Sequence, residues 1–228
     1  MAHRVVGNAG SAIRDDETLV TALAWFTIAG IVAYVLLTVI AQFLPPHYSP
    51  IHDAESDLAV GPYGYLMTIA FVVRGIISVA LLIALDRALP ARARSKIGMI
   101  LFGIWGAGAL LLSMFPADVV KGRHTVHGDV HLVVALVAFV CGAVGEVLLS
   151  RRMSVAPWSR ASRQAVRILS YFTATTLVLF FFLTPRPRVF GLFERLFIGA
   201  ALLWMLVTAA VLLTQHSRGA EAQPNAPA

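Results

Sequence analysis

Three histidines stand at the start of a hydrophobic segment: His124, His127 and His131. Residues three and four positions apart share one face of a helix, so a helix that includes all three would align them on one stripe. Zinc is commonly bound by neutral imidazole nitrogens together with a carboxylate, and Asp118 stands just before the histidines. These four residues are therefore a candidate zinc site.

The chemistry of such a site would be hydrolysis, because a zinc-bound water ionises near neutral pH. This interpretation predicts a metal-dependent hydrolase that acts on a lipid or lipid-linked substrate. Two other interpretations stand beside it. The same residues can form a metal-free site for a substrate or a proton, or Asp118 and Thr125 can simply cap the exposed amides of a helix. No catalytic residue is identified by the sequence itself.

A second polar cluster is the run from His52 to Asp57, which includes Asp53 and Ser56. It lies between two hydrophobic segments and, taken alone, is typical of a solvated turn. It becomes a candidate part of a site only if the fold brings it near the histidines. The hydrophobic segments on either side of the two clusters decide whether the clusters can meet.

The composition indicates a membrane protein. Of the 228 residues, 58% are hydrophobic and 13% are charged, about half the charged fraction of an average soluble domain. The mean hydropathy is +0.79. The net charge of +6 does not predict a nucleic-acid partner, because the basic residues are scattered over short loops without a basic patch interleaved with aromatic residues. The expected surroundings are a lipid bilayer.

Six hydrophobic segments are each close to the ~20 residues with which a helix crosses a bilayer. They run from Leu19 to Leu44, Gly64 to Leu85, Ile97 to Phe115, Val130 to Ser150, Val166 to Thr184 and Leu196 to Gln215. The predicted fold is an all-α, polytopic transmembrane bundle of six helices. Residues 1–18 are predicted to be a polar cytoplasmic segment, 19–215 the transmembrane domain, and 216–228 a disordered cytoplasmic tail.

The distribution of lysine and arginine predicts the orientation, since these residues are in excess in cytoplasmic loops. One side of the predicted bundle carries Arg4, Arg14, Arg87, Arg92, Arg94, Lys96, Arg151, Arg152, Arg160, Arg163, Arg167 and Arg218. The other side carries Lys121, Arg123, Arg186, Arg188 and Arg195. Both termini are thus expected in the cytoplasm, in an inner (plasma) membrane. Both polar clusters then share the non-cytoplasmic face, where they can meet.

Charges in the hydrophobic segments need their own explanation. Arg74 lies near the centre of the second segment, where an unpaired cation costs at least ~2.5 kcal/mol, so we expect it to face the bundle and have a partner. It could hold an anionic headgroup or a substrate carboxylate in a central cavity, or form a structural ion pair. Glu146 lies in the fourth segment, roughly 10 Å away in depth by helical rise. Arg195, before the last segment, could contact lipid phosphate or anchor the interface.

Small residues in the third and fourth segments predict close helix contacts. They are Gly103, Gly106, Gly108, Gly142 and Gly145. The single Cys141 excludes an internal disulfide and a cysteine-rich metal site.

Several short motifs follow one another along the chain in an order that resembles a known family. They are Ser56-Asp57-Leu58-Ala59, Gly61-Pro62-Tyr63-Gly64, Phe115-Pro116-Ala117-Asp118, then Thr125, Gly128 and His131, and finally Gly191-Leu192-Phe193-Glu194-Arg195. With the six segments, the chain resembles the domain-of-unknown-function 998 family of bacterial and archaeal integral membrane proteins over about residues 19–215. The resemblance implies a six-helix membrane bundle and no established activity.

The sequence thus predicts a multi-pass membrane protein with a polar pocket on its non-cytoplasmic face. The candidate pocket residues are His52, Asp53, Ser56, Asp57, Arg74, Asp118, His127, His131 and Arg195. The first hypothesis is binding, or transport-associated binding, of a lipid or small molecule. The alternatives are the zinc-dependent hydrolase and a structural or assembly protein without a small-molecule site.

Overall fold

The computed structural model of the chain describes residues 2–118, 124–183 and 187–221, with side chains at 16–118, 124–182 and 188–215. Its α-helices, in chain order, are α1 (Ala2–Ala41), α2 (Gly64–Ala88), α3 (Lys96–Leu112), α4 (Val126–Met153), α5 (Arg160–Leu183) and α6 (Phe190–Glu221). Short 3-10 helices lie in the connections at Glu55–Ala59, Ala91–Ala93 and Pro187–Val189. The described ranges contain no strand, so the predicted all-α class is confirmed.

Five helices are long and apolar enough to cross a bilayer by length and composition. Within the described residues these segments are Asp16–Ala41, Gly64–Ala88, Val126–Met153, Arg160–Phe182 and Phe190–Gln215. The third predicted span is shorter, because α3 has 17 residues and ends at Leu112 instead of Phe115. Pro116 disfavours helical backbone at the residue before it, which explains the early end. The chain is a membrane protein, and the count of six spans stays a prediction.

Both terminal segments are continuous with helices. The first helix begins at Ala2, so it includes most of the predicted polar segment 1–18. The last helix continues past Gln215 to Glu221, which covers the start of the predicted tail. Residues 222–228 lie outside the described part of the chain.

The helices pack in chain order, each against the next, and α6 closes the bundle against α1. Because the connections are short, neighbouring helices are antiparallel, and the loops fall at two ends. We call the end with residues 42–63, 113–118 and 124–125 the site end, and the end with residues 89–95 and 154–159 the basic end. Ion pairs join Arg87 to Asp16 at 2.7 Å and Arg94 to Asp86 at 2.8 Å at the basic end.

Trp105 of α3 lies fully buried in the middle of the bundle, against Phe139 of α4 and Phe197 of α6, with ring centroids 5.9 Å apart in both pairs. The helices can approach so closely because Gly142 faces the indole. A Cβ atom at Gly142 would lie 2.8 Å from Trp105 Cε3. Small residues here serve packing, as predicted.

Three of the four other predicted packing glycines also allow a close contact between helices. A Cβ at Gly145 would lie 2.8 Å from the Phe102 backbone nitrogen, and one at Gly108 would lie 2.6 Å from the Ala138 Cβ. At Gly106 the nearest atom would be the Ser78 Cβ at 3.0 Å. Gly103 is the exception, since its Cβ would make only an ordinary contact of 3.7 Å with Leu82.

We predict that Gly142→Ala destabilises the protein by about 1–3 kcal/mol, the usual cost of overpacking a core. The matched control is Gly199→Ala, since nothing lies within 4 Å of a Cβ at that exposed helical position. Thermal unfolding in detergent should show a lower midpoint for Gly142→Ala alone. Equal midpoints for the two variants would contradict the packing argument.

Candidate functional site

A cavity of about 300 Å³ lies in the half of the bundle nearer the site end. Its polar lining comes from separate elements: Glu55 and Ser56 of the first 3-10 helix, Arg74 of α2, His131 of α4 and Glu194 of α6. The rest of the lining is apolar and comprises Met67, Phe71, Leu112, Leu132, Ala135, Leu136, Phe139, Phe180, Phe181, Phe190 and Ile198. The cavity therefore has a polar side and an aromatic and aliphatic side.

The apolar side reaches the outer surface of the bundle. Leu132 is 68% exposed and Phe181 is 40% exposed, yet both line the cavity. These residues belong to α4 and α5, so the cavity opens between these helices toward the surface that faces lipid.

Arg74 is the cation of the cavity and is 1% exposed. None of its three guanidinium nitrogens has a hydrogen-bond partner among the described residues. Its guanidinium carbon instead lies 4.7 Å from the Trp105 ring centroid, 5.4 Å from that of Phe71 and 5.8 Å from that of Tyr34. The sequence predicted a cation that faces the bundle and has a partner. Here its close partners are aromatic rings, which attract a cation but accept none of its directional hydrogen bonds.

Two buried carboxyl groups stand on the polar side. The Tyr34 hydroxyl donates to Glu55 Oε2 at 2.8 Å, and the Glu55 backbone N–H donates to Glu194 Oε2 at 2.6 Å. Glu55 and Glu194 are 5% and 6% exposed. These bonds tie α1, the loop after it and α6 together at the cavity.

The loop after α1 is held by Arg195, the residue next to Glu194. Arg195 Nη1 donates to the carbonyls of Pro50, Asp53 and Gly191 at 2.9 to 3.1 Å, and Nη2 donates to the Tyr48 hydroxyl. The two terminal nitrogens of one guanidinium group thus bond to four acceptors from a loop and a helix, one more than the three N–H donors of a lysine ammonium.

Tyr48 links the same loop internally, because its hydroxyl donates to Ala54 O at 2.8 Å. Burial raises the pKa of Tyr48 despite the neighbouring Arg195 guanidinium, so it stays a neutral phenol. Arg195 and Tyr48 therefore fix the loop that carries Glu55 into the cavity.

The acidic residues of the His52–Asp57 run stabilise the loop. Asp53 Oδ2 accepts from the Ser49 N–H at 2.7 Å, and Asp57 Oδ2 accepts from the Ala54 N–H at 3.1 Å. Burial raises the pKa of the Asp57 carboxyl from its ordinary 3.8 to about 6. His52 is exposed, and neither it nor these two aspartates is part of the cavity lining.

The three histidines do not share one stripe, because α4 begins at Val126 and His124 precedes it. The His124 side chain is 83% exposed, with Nδ1 3.5 Å from Asp129 Oδ1. His127 packs its ring against Phe115, with centroids 5.5 Å apart. His131 alone lines the cavity, and its Nδ1 lies 2.7 Å from the Phe115 carbonyl oxygen.

Asp118 contributes to the cap at the start of α4, which was one of the interpretations that the sequence left open. Its carboxylate accepts from Thr125 N at 2.7 Å and from Thr125 Oγ1 at 2.8 Å. Thr125 Oγ1 in turn accepts from the Gly128 N–H at 3.1 Å at the start of α4. Within the described ranges, no three His, Cys, Asp or Glu residues are placed to hold one metal ion. The zinc site stays a prediction.

Glu146 lies outside the cavity and is completely buried. Its carboxyl group interacts with the Thr173 side chain, and no hydrogen bond joins it to Arg74 among the described residues, so the two charged residues are not paired directly.

The structure thus brings together Ser56, Arg74 and His131 from the predicted pocket, and it adds Glu55, Glu194 and Tyr34. Glu55 and Glu194 stood next to predicted residues, but nothing in the chain order indicated that they meet. A carboxylate at the start of an apolar span is itself a signal of function or pairing, and it could have identified Glu194. Tyr34, a lone polar group in the first span, gave a weaker signal.

The fold and the cavity place the chain among the α-helical membrane proteins whose helices enclose a partly polar cavity. Residues 28–211 match the family described as "Protein of unknown function (DUF998)". The chain therefore belongs to the DUF998 family, as the sequence motifs indicated. No curated protein and no solved structure matches it.

We predict a pH-dependent stability that comes from Asp57. The unfolded carboxyl titrates near pH 4 and the folded one near 6, so between these values the folded state binds more protons and stability falls as pH rises. Asp57→Asn removes this loss and keeps an acceptor for Ala54. Its advantage over the natural chain should grow by about 1–3 kcal/mol from pH 4 to 6 and then level off. Thermal unfolding between pH 4 and 8 measures it, and a difference constant with pH would refute it.

Proposed function

We propose that this membrane protein binds an amphipathic ligand in the cavity beside Arg74. Oxygen atoms of the ligand's polar head would accept from the guanidinium group, and its apolar chain would lie along the aromatic and aliphatic side. The observation that carries the proposal is the buried guanidinium without a hydrogen-bond partner among the described residues. A buried charge is normally paired, and a ligand that supplies acceptors would complete this one.

The shape of the cavity supports an amphipathic ligand rather than a wholly polar one. About 300 Å³ is at the lower end of the ~300–1,000 Å³ of small-molecule pockets, enough for a polar head and a short part of a chain. The remainder of a chain can leave between α4 and α5 past Leu132 and Phe181, which are exposed on the lipid-facing surface.

The alternatives draw less support from the described residues. A zinc hydrolase requires a group of ligands around one point, and no such group is found there. A purely structural protein gains nothing from a cation that has no hydrogen-bonded partner beside an open cavity, since an apolar residue would cost less. Ligand binding, alone or as part of transport, accounts for both the cation and the cavity.

We predict that Arg74→Gln lowers affinity for a bound amphiphile by about tenfold to a hundredfold, the value of hydrogen bonds to a charged group. The probes are single-chain lipids of equal chain length: lysophosphatidylethanolamine, lysophosphatidate and monoacylglycerol, which lacks an oxyanion. Binding is measured by native mass spectrometry on delipidated protein. At least one phosphate-bearing probe should bind more tightly than monoacylglycerol.

The matched control is Arg188→Gln, the same change at an exposed arginine, which should keep the natural affinities. Arg74→Lys keeps the charge without the guanidinium fork, and it serves if the glutamine variant does not fold. The proposal fails if monoacylglycerol binds as well as both phosphate-bearing probes, or if the Arg74 variants bind like the natural chain.

We also propose that both termini lie in the cytoplasm and that the site end faces the outside of the plasma membrane. The support is the excess of lysine and arginine on one side of the bundle, as at Arg87, Arg94 and Arg163. In this orientation the cavity would take its ligand from the outer half of the bilayer.

We predict the labelling pattern of two single-cysteine variants in a Cys141→Ala background. His52→Cys lies at the site end and Ala91→Cys at the basic end, and both natural residues are exposed. A membrane-impermeant maleimide added to intact cells should label the cysteine at 52 and leave the one at 91 unlabelled until the cells are permeabilised. The reverse pattern would invert the orientation.

A further inference from the structure

We infer that the polar head of the ligand is zwitterionic, with an ammonium group beside its oxyanion. This inference rests on the proposed function and assigns the chemistry of the head. It follows from the ionisable groups that line the cavity, which are one guanidinium, Arg74, and two buried carboxyl groups, Glu55 and Glu194.

The carboxyl groups have structural bonds of their own, and no cation among the described residues is hydrogen-bonded to them. Glu55 accepts from the Tyr34 hydroxyl, and Glu194 accepts from the Glu55 backbone N–H. Both of these donors are neutral. Arg195, the nearest residue of opposite charge in the chain, directs its guanidinium to the loop carbonyls and to Tyr48 instead. Two carboxyl groups that have no hydrogen-bonded cation within the described ranges are a natural site for an ammonium group.

His131 adds a further acceptor. A carbonyl oxygen can only accept, so the contact of Nδ1 with Phe115 O places the proton of a neutral ring on Nδ1. The other ring nitrogen, Nε2, is then an acceptor on a residue that lines the cavity. The cavity lining thus carries three acceptor groups, on Glu55, Glu194 and His131, beside the Arg74 donors, which suits a ligand head that carries N–H groups of its own.

A simply anionic head fits these charges less well. Its oxyanion would satisfy Arg74, but it would bring no N–H donor to the carboxyl groups of Glu55 and Glu194, which would stay without a partner from the ligand. A zwitterion supplies acceptors to Arg74 and donors to the carboxyl groups at once. Selectivity for the zwitterion is therefore the expected property of this cavity.

The test compares lysophosphatidylethanolamine, a zwitterion, with lysophosphatidate, its anionic counterpart of the same chain length. The natural chain should bind the zwitterion at least about tenfold more tightly, because it gains charge-assisted hydrogen bonds that the anion lacks. Glu194→Gln and Glu55→Gln should each reduce the ratio of the two affinities, zwitterion over anion, several-fold by weakening the binding of the zwitterion. The matched control is Glu146→Gln, the same change at a buried glutamate outside the cavity, which should leave the ratio unchanged.

The outcomes separate this inference from the proposed function. Equal or tighter binding of lysophosphatidate, with loss of binding in Arg74→Gln, overturns the zwitterion and leaves the amphipathic site standing. Failure of both lipids to bind better than monoacylglycerol overturns both proposals. A ratio unchanged in both the Glu55 and Glu194 variants also overturns the zwitterion.

The same experiment identifies the source of the head group. Glycerophosphoethanolamine, which has the zwitterionic head and no acyl chain, should bind much more weakly than the lipid if the ligand comes from the membrane. Equal affinity of the chainless compound would overturn the amphipathic part of the proposed function while it supports the zwitterionic head.

Discussion

The burial of the Arg74 guanidinium is the constraint to which the surrounding structure is adapted. A cation inside an apolar bundle is costly unless the protein surrounds it with groups that attract positive charge. Here the rings of Tyr34, Phe71 and Trp105, one from each of three consecutive helices, lie within 6 Å of the guanidinium carbon and attract its charge. The position of Trp105 depends in turn on Gly142, which lets α4 approach the indole. The charge is thereby held in place, while its N–H groups make no hydrogen bond to the part of the chain that the structure describes.

Glu194 and Arg195 divide two tasks at the start of α6. Successive helical residues point in different directions, so Glu194 reaches the cavity while Arg195 reaches the loop after α1. The loop in turn presents Glu55 to both Tyr34 and Glu194. The polar side of the cavity is thus built by a loop folded back into the bundle, and its geometry depends on contacts between residues about 140 positions apart.

That distance along the chain explains what the sequence could predict. The hydrophobic segments, the helical class and the inward-facing Arg74 follow from composition and local pattern, and the structure agrees. The histidine stripe was a local pattern too, but it depended on where α4 begins. The cap formed by Thr125 and Asp118 places that start after His124, so only His131 reaches the cavity. The meeting of Glu55 and Glu194 is a long-range contact, and no local pattern in the sequence could predict it.

The separation of Arg74 from Glu146 argues against a structural ion pair and agrees with the binding site that we propose. Both are fully buried, and a direct bond between them would satisfy each. The Trp105 indole argues against such a bond. The Arg74 guanidinium carbon lies 4.7 Å from its ring centroid, and the same ring packs on Gly142, one helical turn before Glu146. A bundle selected for stability alone would pair the charges or replace them with apolar residues. Their separation leaves the Arg74 donors without a hydrogen-bond partner among the described residues, which is the arrangement that the proposed binding of an oxyanion requires.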